Sequence, residues 1–596
     1  MLVKRLGRLI PGSARRTELQ DALGDCRAYF TTVFLFSIVT NLLVLALPIY
    51  MLQVYDRVLT TSHTDTLLML TLIIGGALLL MACIDGLRSV LTLRIGGWLS
   101  DRLGPACLSS SVRARLSGRP ASSGTIGDLT TIRNFISTQG LTFFCDAPWV
   151  PIFVTIIWLI HPTLGLLALC SAITLFTLSL GNETVTRGRF QRASEANISA
   201  TRDADATVRN AEVVSAMGML PALLNRWQMK QRFVLEDLRT AGERSGFIIA
   251  LTKFVRLFAQ VSVLGLGALL VIRSELTAGS MIACSILLGR ALAPVEMAMS
   301  GWRNFANARI SYSRLKEHLR AYPEPEKRIE LPAPSGRLTA DRVTFMTSGV
   351  KILDNISFEL EPGDALAIIG PSAAGKSTLC RFLVGLAKPT VGEVQLDKTP
   401  IQHWDPQDLG PHIGYLPQNV ELFDGTVKDN IARMTITDDS EVIAAAKLAH
   451  AHMMIHELPD GYDTVIGESG PILSAGQRQR IGLARALFGH PKFIVLDEPN
   501  ANLDQAGETA LAAAIRELKA RDTTIVVVGH RPSTLSEATK ILLLRDGRVQ
   551  MFGERDAVMA KMREATVAAR AASEAAAQDQ NGEDATEVQK TQTAVG

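Results

Sequence analysis

The chain has 596 residues, 47% of them hydrophobic and 20% charged, and a formal net charge of +3. Charged residues fall below the roughly 25% of ordinary soluble domains, and the mean hydropathy is +0.20. Together these argue against a wholly soluble enzyme, and the small net charge argues against a nucleic-acid partner. The length suggests roughly four domain-sized units. Seven cysteines (Cys26, Cys83, Cys107, Cys145, Cys170, Cys284, Cys380) are scattered without a CxxC pair, which reads as free thiols rather than a disulfide frame or a zinc site.

The apolar residues concentrate in the first half. Runs cover 31–53, 67–84, 141–181, 247–272 and 277–299, and no run of comparable length follows Met299. A bilayer-spanning helix takes about 20 residues. The 141–181 stretch is therefore two spans joined by a turn at His161-Pro162, which makes six spans in all. Residues 1–30 carry six basic side chains against three acids, and 86–140 carries seven arginines against two acids. The connections near 56–66, at 161 and at 273–276 hold almost no net positive charge. This alternation places both termini in the cytoplasm. No apolar core begins before Thr31, so the first residues do not read as a secretory signal.

The long connections 86–140 and 182–245 carry apolar residues at threes and fours, as in Ala211, Val214 and Met217, and read as cytoplasmic helical hairpins. Lys253, Arg256 and Arg290 lie at or near membrane depth. Each either snorkels or faces a cavity, with Arg256 and Arg290 the better cavity lining. Four prolines in 322–336 mark a linker. Beyond it, apolar runs at 365–369, 413–416, 493–496, 524–528 and 541–544 alternate with helical stretches, the pattern of an α/β domain. The expected organisation is an N-terminal cytoplasmic segment (1–30), a six-span domain (31–315), a linker (316–336), an α/β domain (337–560) and an Ala/Glu/Gln-rich, disordered tail (561–596).

Gly370-Pro371-Ser372-Ala373-Ala374-Gly375-Lys376-Ser377 has the phosphate-loop pattern, between an apolar run and a helix expected to open at Thr378. Glycines let backbone N–H groups close around phosphate oxygens. Lys376 adds a point charge, and the Ser377 hydroxyl is a magnesium ligand. A second strand ends in Asp497-Glu498. In such a pair the first carboxylate holds magnesium and the second polarises the attacking water.

Leu473-Ser474-Ala475-Gly476-Gln477 just before that strand resembles the signature motif of the ATP-binding-cassette ATPases, with alanine in place of the usual glycine. Gln418, Asn502-Leu503-Asp504 and His530 follow the family's order. The resemblance implies a membrane α-helical domain of exporter type fused to an α/β P-loop cassette, with ATP and Mg2+ bound between two cassettes. It implies catalytic roles for Glu498 as base, His530 as linchpin, Gln418 as γ-phosphate sensor and Asp504 as link between sites. Gly370 to Thr378 would hold nucleotide, together with Ser474, Ala475, Gly476 and Gln477 acting in trans. Ser377, Gln418 and Asp497 would form the magnesium set. Asp463 to Gly470 resembles the loop by which exporter cassettes touch cytoplasmic membrane-domain loops. Where the family places an adenine-stacking aromatic, this sequence aligns Thr347; either Phe345 substitutes or stacking is weak.

The membrane half narrows the resemblance. Ile132-Arg133-Asn134-Phe135, Phe143 to Trp149, His161-Pro162 and Arg209 to Val213 together resemble the ATPase/permease of bacterial type I secretion. The resemblance is to the group exporting proteases, lipases and glycanases, which lacks an N-terminal peptidase-like domain; only about 30 residues precede the first span here. It implies a homodimer in the bacterial inner membrane, a periplasmic membrane-fusion adaptor, an outer-membrane channel and a secreted protein with a C-terminal signal, exported unfolded. An exporter of lipid or small amphiphiles is the competing reading, distinguished by needing no adaptor. A non-transporting signalling ATPase is a third, which six spans disfavour.

Overall fold

The structure is a computed structural model that describes residues 18–118, 124–138, 140–324, 328, 331–347, 349–467, 473–501, 503, 505–529 and 531–564. The chain divides into two compact units, Met1–Pro325 and Glu326–Gly596.

The first unit is helical. Its elements are α1 (Glu18–Asp25), α2 (Arg27–Val44), α3 (Ala46–Gln53), a π-helical turn at Val54–Val58, α4 (Thr64–Leu116), α5 (Gly124–Ser137), α6 (Gly140–Asp146) and α7 (Trp149–Ile160). These are followed by α8 (Pro162–Arg209), α9 (Ala211–Ala216), α10 (Leu220–Ile272), α11 (Ala278–Ser300) and α12 (Trp302–Ala321). Among the described residues, five helices are long and apolar enough to cross a membrane: Arg27–Thr61, Thr64–Leu116, Pro162–Arg209, Leu220–Ile272 and Ala278–Met299. The sixth apolar segment, Phe144–Ile160, is shorter. It is interrupted between α6 and α7, where Pro148 caps Trp149–Ile160. The 48-residue α8 and the 53-residue α10 reach about 70–80 Å at 1.5 Å per residue, far more than the ~30 Å hydrocarbon layer. Their outer lengths are therefore the hairpin expected from 182–245.

The turn at His161-Pro162 has a local cause. His161 is extended at φ −156°, its Nδ1 accepts from the Thr163 N–H at 3.3 Å, and Pro162 opens α8. Proline is pre-organised for a first helical position. Gly165 follows, where a Cβ would lie 2.5 Å from Trp158 Cα; only glycine lets the two helices meet this closely. Phe153, Ile157, Leu164, Leu175, Val263, Cys284 and Leu288 form the core between spans. A second cluster of Leu19, Leu99, Leu103, Leu129 and Leu315 joins α1, α4, α5 and α12. α12 ends at Ala321, within the segment 316–336 expected as linker. Arg256 of α10 pairs with Glu296 of α11 at 2.8 Å, whereas Lys253 and Arg290 are exposed. All seven cysteines are free thiols, with Cys26, Cys107, Cys284 and Cys380 buried.

The second unit is α/β. Strands β1 (Leu338–Thr347), β2 (Val350–Leu360), β4 (Val391–Leu396) and β5 (Thr399–Pro400) form an antiparallel sheet in the order β2-β1-β4-β5. Strands β3 (Ala365–Ile369), β6 (Ile413–Leu416), β9 (Phe493–Asp497), β10 (Thr524–Val528), β11 (Lys540–Arg545) and β12 (Arg548–Glu554) form a second sheet ordered β12-β11-β3-β10-β9-β6. All its pairings are parallel except β11 with β12. Every residue of β3, β9 and β10 is buried, as strands covered on both faces require, hence their nearly continuous apolar runs, ended only by Asp497 and opened by Thr524. A short pair, β7 (Gly425–Thr426) with β8 (Val465–Ile466), completes the strands described. Residues 555–564 are helical and seat Val558, Met559 and Met562 against Ile369 and Ile541. The expected tail therefore begins with an ordered turn at 561–564.

Candidate functional site

Strand register brings the site together. Val528 of β10 sits opposite Ile368 of β3 on one side and Asp497 of β9 on the other. The three carboxyl ends therefore lie side by side, the usual ligand crevice of an open α/β sheet. Leu416 of β6 pairs with Leu496, so Gln418 emerges next to Glu498.

The phosphate loop leaves β3 at Gly370, whose φ is +156°; a Cβ there would lie 2.1 Å from the Leu544 carbonyl oxygen. That oxygen is backbone of the neighbouring strand and cannot yield, so only glycine fits. Ala373 and Gly375 also have positive φ, +64° and +95°. Gly375 is the N-cap of α13 (Lys376–Leu383). The helix thus opens at Lys376, two residues before the expected Thr378, which lies in its first turn. Pro371, Ser372 and Ala373 are exposed and Ala374 is buried. Lys376 is 7% exposed. Its ammonium donates to the carbonyl oxygens of Gly370 at 2.7 Å and Pro371 at 2.9 Å, so the loop curls around its own cation.

Asp497 ends β9 and is 2% exposed. Burial pushes its carboxyl above the usual range; a hydrogen bond from the Ser377 hydroxyl opposes this, and the neighbouring Glu498 charge reinforces it. Its Oδ1 is buried with no hydrogen-bond partner among the described residues. An orphaned, desolvated carboxylate oxygen beside a serine hydroxyl fits a hard cation with oxygen ligands. Glu498 takes φ +52°, unusual for a residue with a Cβ and the kind of strain that gathers at functional sites. Its N–H donates to Val528 O at 3.1 Å, and its Oε2 accepts from Gln418 Nε2 at 3.0 Å.

Ser474 is the N-cap of α14 (Ala475–Leu487). Its hydroxyl accepts from the Gln477 N–H at 3.2 Å, and its own N–H donates to Gln477 Oε1 at 2.8 Å, a capping box. Ser474 and Ala475 are exposed, and Gly476 and Gln477 half-buried. The start of this helix is a solvent-facing set of N–H groups suited to an anion. Gln479 on the same helix, not singled out from the sequence, is buried and donates to the carbonyls of Glu498 at 3.2 Å and Pro499 at 2.9 Å. It ties the signature helix to the turn holding Glu498. Its signal is a glutamine two residues beyond the capping box. Asn500 likewise donates to Thr534 Oγ1 at 3.2 Å.

His530, Asp504 and Asn502 lie outside the described residues, as do Glu468 and Gly470. The described part of the 463–470 loop pairs through Val465–Ile466 with Gly425–Thr426, downstream of Gln418. Thr347 is exposed. Phe345 packs edge-on against Phe382 at 5.1 Å, partly buried on the core.

The ABC transporter family matches residues 353–501, and the ABC transporter transmembrane region matches residues 30–294. The chain is similar to the type I secretion system ATP-binding protein PrsD of Rhizobium meliloti, 41% identical over 92% of this chain and 95% of that protein. It is 30% identical to the cyclolysin secretion/processing ATP-binding protein CyaB of Bordetella pertussis, over 90% of this chain and 77% of the relative. It is also 30% identical to the alpha-hemolysin translocation ATP-binding protein HlyB of Escherichia coli, over 89% and 76%. A solved bacterial Atm1-family ABC exporter with ATP bound shares the fold, with a TM-score of 0.77 and 22% identity over 90% of this chain and 96% of that one.

Proposed function

Because this chain belongs to the type I secretion ATP-binding proteins of the ABC transporter superfamily, we propose that it energises secretion of an unfolded polypeptide from the bacterial cytoplasm, as a homodimer in the inner membrane. It is a multi-pass membrane ATPase whose hydrolysis drives protein export. The observation that carries the reading is the likeness to PrsD, which runs across both units rather than through the cassette alone. A periplasmic membrane-fusion adaptor and an outer-membrane channel complete the route, and the cargo carries a C-terminal signal.

The chemistry follows from the site. Lys376 and the N–H groups from Gly370 to Thr378 bind the β- and γ-phosphates. To reach them, Lys376 exchanges its bonds to Gly370 O and Pro371 O for phosphate oxygens. Ser377 and Asp497, with Gln418 at the outer side, would hold magnesium, which neutralises phosphate charge when bound. Glu498 accepts the proton of the attacking water, and Gln418, hydrogen-bonded to it, senses whether the γ-phosphate is present. His530 orients water and phosphate, and Asp504 links the paired sites. Ser474, Ala475, Gly476 and Gln477 close the partner's site rather than their own. Supporting this, Ser474 and Gln477 are exposed or half-buried and bonded to each other. Adenine stacking is weak, since Phe345 is spent on Phe382 and Thr347 has no ring.

The test is reconstitution of the full chain in vesicles. A C-terminal fragment of a co-encoded secreted protein is expected to bind and change the ATPase rate. No binding and no rate change, with clear stimulation by lipid instead, would turn the reading toward a lipid exporter.

A further inference from the structure

A cavity of about 720 Å3 opens in the membrane unit between α4, the α5–α6 break and the junction of α11 with α12. Its depth can be counted. The turns at the far ends of these helices cluster together: His161 Nε2 is 3.7 Å from Glu275 Oε2, and Thr277 and Gly279 both bond Asp56 of the π-helical turn. From that side, Asp85 lies 21 residues into α4 and Met297 lies 19 residues into α11. At 1.5 Å per residue both sit about 30 Å away, one hydrocarbon thickness. The cavity is therefore at the opposite membrane border, where α12 begins.

Its charged wall is specific. Arg88 bridges Asp85 at 3.1 Å and Asp146 at 3.3 Å. Asp146 is further held by Asn41 Nδ2 at 3.0 Å and by the Ser37 hydroxyl, which moors α6 to α2. Arg88 and Asp146 are each 13% exposed, but Asp85 is 42% exposed, its Oδ1 taking Arg88 and, at 3.4 Å, the Thr40 hydroxyl, so the carboxylate most open to a ligand is Asp85. Two carboxylates and one guanidinium leave a net charge of −1 among the charged lining residues. The hydroxyls add acceptors: Thr92 and Thr138 donate back to the Ser89 and Phe135 carbonyls, leaving their oxygens able only to accept. The wall asks for N–H donors and positive charge. A lipid headgroup of net negative charge is repelled by the excess carboxylate.

We propose that this cavity is the docking site for a lysine- or arginine-bearing polar stretch of the exported polypeptide, with Asp85 as its counter-ion. The inference rests on the export function proposed above. Ionisable residues in transmembrane helices ordinarily face a partner or a water-filled path.

The experiment uses the full-length protein in zwitterionic nanodiscs, with two benzophenone-bearing peptides of equal length and Gly/Ser background, one carrying lysines and one glutamates. The lysine peptide is expected to bind more tightly and to photo-crosslink to fragments containing 85–92, 137–142 or 297–304. Asp85→Asn should weaken its binding about 2- to 5-fold while the glutamate peptide changes little, as for loss of one partly exposed ion pair. The wild-type crosslink map is independent of whether that variant folds. Equal binding of both peptides, or crosslinks elsewhere, overturns this site while leaving polypeptide export intact. Protection by anionic lipid with no peptide binding overturns both.

Discussion

Gln418 and Glu498 are joined by a 3.0 Å hydrogen bond from the amide Nε2 to the carboxylate Oε2. The two residues are 80 apart in sequence, and parallel pairing of β6 with β9 brings them together. Gln418 is exposed and its segment leads to the β7–β8 pair, which also anchors the start of the 463–470 loop. The hydrogen bond therefore joins Glu498 to a surface segment that runs on to the β7–β8 pair.

Glu498→Gln keeps the shape of this contact, since the new amide oxygen can still accept from Gln418. It removes the carboxylate that takes a proton. Single-turnover hydrolysis should fall about 10²–10⁴-fold, with ATP affinity retained and a closed dimer accumulating on gel filtration. Near-normal turnover would assign the base elsewhere.

Ser474 bonds Gln477 and faces solvent, while Lys376 is buried in its own loop. Covalently linked dimers separate cis from trans action. With Lys376→Ala in one cassette and Ser474→Ala in the other, both defects fall in one composite site and the second survives. With both on one chain, each site carries a defect. The first arrangement should keep roughly half the wild-type ATPase rate and the second much less; equal rates mean self-contained sites.

The third expectation concerns pH. Burial holds the Asp497 carboxyl above its ordinary range, so the folded state binds a proton more readily than the unfolded chain. This contribution is fully present below the ordinary value of 3.8 and is lost as pH rises through the raised one. Relative to Asp497→Asn, nucleotide-free wild type should lose stability over that interval, as read by denaturant unfolding. Magnesium with ATP should restore stability to wild type only. Parallel pH curves for the two proteins would mean that Asp497 is not desolvated in solution.

The sequence by itself determined the division of labour. Apolar runs too long for a soluble core, connections that alternate between basic and near-neutral, and a phosphate loop between an apolar run and a helix are local patterns, set by burial and backbone geometry over a few residues. Hence the strands at 365–369 and 413–416 stand at those residues, and the His161-Pro162 turn is where the proline put it. What needed tertiary structure was everything set by register and long-range pairing. The antiparallel sheet of β1, β2 and β4 is irregular, with bulges along β1, and its half-buried alternation leaves a weak period. The break between α6 and α7 falls at Ala147-Pro148 inside the 141–181 run, while Pro151 three residues on sits within α7, so packing decides which proline interrupts the helix. Phe345 reads as a possible base platform until Phe382 is seen against it. Asp146 reads as one acid near an aromatic anchor. Only the fold brings it Asn41 and Arg88, residues 105 and 58 positions away, because side chains far apart in a chain meet only where helices cross.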